Sequence, residues 1–119
     1  MKYLFLLNTT EDALPEPGTA AAAALYEAYG KANAAMAAAG VLRDCAPLHP
    51  PSSSTTVRVR DGEILLTDGP AAEIKEHLGG YTIVECDDLD EALRWAATIP
   101  AAQQASVEVR PVVAVQVPS

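Results

Sequence analysis

Apolar and polar positions alternate along this chain in segments with clear starts and stops. Lys2 to Leu7 is a short continuous apolar run, the pattern of a buried strand. Glu11 to Gly18 carries two prolines, acids and a glycine, and reads as a loop. Thr19 suits an N-cap for a long helix to about Ala39, with Leu25, Tyr29 and Met36 forming one stripe at helical period. Gly40 stands where a left-handed residue ends such a helix. Val41 to Leu48 predicts a second strand, followed by prolines and a polar linker, Ser52 to Thr55. Thr56 to Thr67 then reads as a hairpin turning at Asp61-Gly62, because both positions of a two-residue type I′ turn need positive φ. That register sets Val57 against Leu66, Val59 against Ile64 and Arg60 against Glu63.

Asp68-Gly69-Pro70 predicts the opening of a short helix through His77, with Asp68 as N-cap and Gly79-Gly80 as its end. Tyr81 to Glu85 follows as a strand. Asp87 to Glu91 then places negative charge at the start of a second helix, whose apolar side is Leu89, Ala92, Leu93, Ala96 and Ala97 and which stops before Pro100. Ser106 to Arg110 alternates as a last strand. The order is β-α-β, hairpin, short helix, β-α-β. It predicts one α+β domain over residues 1–119.

Composition sharpens this picture mainly by exclusion. Half of the 119 residues are hydrophobic, enough for a core without a disulfide or metal staple. Eight basic against sixteen acidic residues give a net charge of −8, which argues against a nucleic-acid binder, since such a protein needs a basic face. The first apolar run is too short for a signal peptide or a membrane span, and Glu27, Lys31 and Asn33 interrupt the alanine-rich stretch. A cytoplasmic protein without membrane contact is expected. Cys45 and Cys86 match no metal or redox spacing and read as small buried thiols on strands. His49 and His77 lack a second ligand at metal spacing, so no metal is expected. Ser52-Ser53-Ser54 lacks a nucleophile-elbow context, and Gly79-Gly80 precedes a strand rather than a helix, the reverse of a phosphate loop. No cofactor is expected.

Taken in order, Lys2-Tyr3-Leu4, Ala38-Ala39-Gly40-Val41-Leu42, Thr56-Val57-Arg58, Thr67-Asp68-Gly69-Pro70, Glu73-Ile74-Lys75-Glu76, Leu78-Gly79-Gly80-Tyr81, Asp88-Leu89-Asp90-Glu91-Ala92 and Val107-Glu108-Val109-Arg110-Pro111 span nearly the whole chain. This ordered set resembles the YCII-related, DGPF-domain family. The resemblance implies a ferredoxin-like βαβ-βαβ sandwich with the hairpin and short helix inserted, pairing through its sheets as a dimeric α+β barrel. Some members of the wider group are associated with a His–Asp pair, the His on the first helix and the Asp before a proline after the second. Here those positions carry Tyr29 and Ile99, so that pair is not inherited, and Ala71 replaces the phenylalanine that follows Asp-Gly-Pro.

The polar residues left as candidates are Asp68, Glu73 and Lys75, with Tyr29 and Tyr81 as phenols at a pocket mouth. Asp68 and Glu73 would be paired carboxylates, and Lys75 would hold one ionised or meet an anionic ligand. Their plain readings are a helix cap for Asp68, a solvated face for Glu73 and Lys75, and core packing for the tyrosines. His77 lies one helical turn after Glu73, and a surface histidine is its plain reading. Three functions stay open: a domain binding a small molecule or a protein partner in a sheet–helix cleft; a cofactor-independent enzyme performing proton transfer, isomerisation or elimination on a small organic acid or phenolic; and an accessory to transcription acting by protein contact. A homodimer is expected in each case, because Leu4 and Leu6 fall opposite Tyr3, Phe5 and Leu7 and leave both faces of the first strand apolar.

Overall fold

The computed structural model describes residues 1–115. Its strands and helices are β1 (Lys2–Thr9), α1 (Ala20–Ala38), β2 (Leu42–Pro47), β3 (Thr55–Arg60), β4 (Glu63–Asp68), β5 (His77–Glu85), α2 (Leu89–Ala97), α3 (Ala101–Gln104) and β6 (Ser106–Pro111). Single 3-10 turns occur at Glu11–Ala13 and Pro51–Ser53.

Four strands form one antiparallel sheet in the order β2-β5-β1-β6, and β3 with β4 forms a separate two-stranded sheet. With the hairpin set aside, this is the ferredoxin-like order. One face of the large sheet carries the core: Tyr3, Phe5, Leu7 and Val84 pack with Ala32 and Met36 of α1, Ala92 and Ala96 of α2, Ile99, and Ala101 at the start of α3. The opposite face carries Leu4, Leu6, Tyr81 and Ile83, all half-buried and none within that cluster.

Helix ends follow the expected chemistry. Thr19 Oγ1 accepts from the Ala22 N–H at 3.2 Å, and Gly40 takes φ 76° after α1. Asp88 Oδ1 accepts from the Glu91 N–H at 2.9 Å, while Glu91 Oε2 accepts from the Asp87 N–H at 2.9 Å, so side chain and backbone close the start of α2 reciprocally. The hairpin forms in the expected register, with Asp61 at φ 52° and Gly62 at φ 77°. Arg60 and Glu63 sit opposite each other, but the Arg60 guanidinium donates to the Val59 carbonyl at 2.9 Å instead of pairing with Glu63.

Several expectations are corrected. No helix forms between Asp68 and His77, and Asp68 caps nothing: it ends β4 opposite Thr55, and residues 69–76 run as an irregular connection. A two-turn segment gains too few internal hydrogen bonds to offset helix nucleation. Strand pairing wins instead, with His77 opposite Thr9 and Leu78 opposite Asn8. Gly79 and Gly80 therefore lie inside β5 rather than ending a helix. The pairing jumps from Leu7↔Gly80 to Asn8↔Leu78, which makes Gly79 the extra residue of a β-bulge. A Cβ on Gly80 would meet the Ala46 carbonyl oxygen at 2.9 Å, so only glycine allows β2 to approach this closely.

In α2, Ala92 and Ala96 are buried as expected, but Leu89 and Leu93 are largely exposed and Trp95 packs against the core in their place. The short helix α3 after Pro100 was not legible from the pattern. Cys45 is only half-buried on β2, and buried Cys86 lies one residue beyond β5. No helix among the described residues is long and apolar enough to cross a membrane.

Candidate functional site

A cleft of about 1290 Å³ opens at one end of the sheet. Three irregular segments wall it: Thr10–Asp12 after β1, Leu48–Ser54 after β2, and the connection from Asp68 to Leu78. Chain direction explains why they meet. β1 ends where β5 begins, through the Thr9↔His77 pair, and β2 ends beside Gly80, with the Leu48 N–H donating to the Gly79 carbonyl at 2.9 Å. The base of the hairpin closes the remaining side. There Gly69, at φ 98°, donates its N–H to the Ser54 carbonyl, and Thr56 Oγ1 donates to the Gly69 carbonyl, each at 2.7 Å. Asp-Gly-Pro is thus the turn by which the chain leaves the hairpin and enters the cleft wall.

Asp68, Glu73 and Lys75 all line this cleft, together with His49, His77, Glu11 and Asp12. Among the described residues the ion pairs are Arg43–Glu85 and Arg110–Glu108, both away from the cleft, so no ion pair there neutralises its carboxylates or Lys75. A wall with acids, imidazoles and one ammonium can bind a small polar molecule and place a proton donor and acceptor on it. Among the described residues no three His, Cys, Asp or Glu side chains are grouped so as to hold a metal ion.

The two tyrosines lie elsewhere. Tyr29 is half-buried on α1 against the core, where burial raises its pKa and the nearby Ala101 backbone opposes that shift. It therefore sits beside the Ile99–Ala101 turn, and Ile99 is fully buried. At the positions where the resemblance implies a His–Asp pair, the structure carries a phenol packed on the core and a buried aliphatic side chain.

Tyr81 stands on the open face of the sheet and donates its O–H to Asp44 Oδ2 at 3.0 Å. The hydrogen bond and the charge of Asp44 raise the phenol's pKa. Asp44 Oδ1 accepts from the Cys45 N–H at 2.9 Å, so the carboxylate is held from both sides. Asp44 did not stand out in the sequence. Its alignment with Tyr81 depends on a register shift between Leu42 and Asp44, which no local pattern announces. Burial is the main cause that raises the pKa of the Cys86 thiol, with Glu91 adding to it, which leaves it unlike an activated nucleophile.

A family model for the YCII-related domain matches residues 1–116. An uncharacterised protein of Rhizobium meliloti (strain 1021) is 43% identical over 75 residues, which make up 61% of this chain and 60% of that protein. The match therefore spans about three fifths of the relative's length.

Proposed function

The chain belongs to the YCII-related domain family, and from that premise we propose that it is a cytoplasmic small-molecule-binding domain whose site is the cleft beside Asp68. One observation carries this reading. Asp68, Glu73, Lys75 and His77, from the stretch that joins β4 to β5, and His49, from the loop after β2, line one concavity while no ion pair among the described residues engages them. A carboxylate without such a partner at a cleft rim favours a ligand bearing a hydrogen-bond donor or a cation, and Lys75 favours an anionic group on the same molecule. A small polar organic acid has both features. The same set supports a second reading, proton transfer on such an acid, because carboxylates and imidazoles share the cleft.

Native mass spectrometry of the wild type and Asp68→Asn, purified in parallel, tests the binding reading. The expected result is an adduct on the wild type that is lost from the variant. An adduct equally present on Asp68→Asn would end the role of Asp68.

The open sheet face supports a homodimer. Leu4, Leu6 and Ile83 form an apolar centre, and Tyr81–Asp44, Arg43–Glu85 and Arg110–Glu108 surround it with polar groups, the composition of a protein interface. Static light scattering at micromolar concentration should return twice 12.4 kDa, and the mass of a single chain would exclude this pairing.

A further inference from the structure

The hairpin β3–β4 forms a sheet of its own, and among the described residues no further strand pairs with either edge and its aliphatic face stands open. Val57 and Val59 are each 59% exposed, Ile64 70% and Leu66 67%, and the cross-strand register puts all four on the same face. An isolated two-stranded hairpin is marginally stable in water, and a face of four clustered aliphatics is an unusual thing for a lone soluble chain to keep wet.

The whole molecule shows the same surplus. The chain exposes 8389 Å², whereas a compact monomer of 12.4 kDa exposes about 6,100 Å². Its radius of gyration is 16.5 Å, against about 13.5 Å for a compact chain of this length. The excess surface, on the order of 2,000 Å², falls within the share that each partner gives up in a permanent homodimer. Part of it lies on the exposed Val113 and Val115 after β6, and part on the hairpin.

Charge points to the kind of partner. In a chain of net charge −8, the hairpin is close to neutral, because Arg58 and Arg60 balance Asp61 and Glu63 and only Asp68 at its root is left over. Two strongly acidic copies repel each other least through a neutral surface. A two-fold contact also covers the same face on both copies and leaves no unmatched patch.

We propose that the hairpin is a dimerisation arm whose Val57, Val59, Ile64 and Leu66 face is covered by a second copy of this chain. This surface is distinct from the open sheet face, and the proposal does not rest on the cleft reading. It has a consequence for the cleft, since Thr56 and Asp68 at the root of the arm form part of its wall. A mate that fixes the arm also fixes that wall.

Sedimentation equilibrium on the full chain compares the wild type with Ile64→Lys/Leu66→Lys and, separately, with Leu6→Glu on the sheet face. The expected result is a dimeric wild type and a double variant that keeps the wild-type circular dichroism while its dimer dissociation constant rises at least about 30-fold. A wild type that stays monomeric at tens of micromolar overturns the proposal and hands the face to a different protein. A double variant as dimeric as the wild type, with Leu6→Glu alone dissociating, overturns the arm and leaves sheet pairing standing. Should the double variant misfold, hydrogen exchange on the wild type decides. Amides of residues 55–68 must become more protected as protein concentration rises through the dissociation constant, and unchanged protection overturns the arm.

Discussion

Two single side chains separate stability from function in this fold. Asp68 is exposed, caps no helix and takes part in no ion pair among the described residues, so Asp68→Asn and Asp68→Ala should each change unfolding free energy by no more than about 0.5 kcal/mol in urea titration. A loss above about 1 kcal/mol for the alanine variant would mean that Asp68 supports structure. Tyr81 behaves differently. Its hydrogen bond to Asp44 holds the phenol proton more tightly in the folded chain than in the unfolded one, whose ordinary value is 10.0. The stability gained in this way is fully present below pH 10.0 and is lost as pH rises through the raised folded value, because there the unfolded chain gives up its proton first. Denaturation followed from neutral to strongly alkaline pH should therefore show a steeper alkaline decline for the wild type than for Tyr81→Phe. Parallel declines would remove the Asp44 contact from the account.

At the scale of elements, local signals were legible and long-range ones were not. The Asp61-Gly62 turn, the Thr19 cap and the acidic start of α2 depend on residues within a few positions of one another, and each formed as the pattern implied. The segment from Pro70 to Glu76 has good helix formers but only two turns of them, and the first strand, distant in sequence, claimed its end for pairing. Asp44 beside Tyr81 and the bulge at Gly79 are likewise products of register between remote strands. The cleft was half legible: Asp68, Glu73 and Lys75 stood out by residue type, but only the fold could show that they share one wall with His49 and His77 and that Tyr29 and Tyr81 do not. The approach of β2 to Gly80 gives a direct test. Gly80→Ala must push back the Ala46 carbonyl, and an expected cost of about 1–3 kcal/mol is readable as a lowered urea midpoint with an unchanged m-value. Removing the cap in Asp88→Ala should cost about 1 kcal/mol by the same measurement.

At the scale of the whole molecule, the pairing proposed above implies that part of the stability comes from association. Its thermal midpoint should then rise with protein concentration, as mass action requires when only the folded form binds a mate. Scanning calorimetry across a hundredfold dilution checks this, and a constant midpoint would point to a self-sufficient monomer. The strand order has a further effect on how the chain is made. β1 lies between β5 and β6, so the earliest of these strands to be synthesised has both neighbours encoded far downstream. At about 5–20 residues per second, Tyr3, Phe5 and Leu7 wait roughly five to twenty seconds for β6 to be synthesised. Contacts this distant in sequence also close slowly once the chain is complete. An apolar strand left unpaired over that interval is open to aggregation, and slower growth at lower temperature or added chaperone capacity in a heterologous host should therefore recover more native protein.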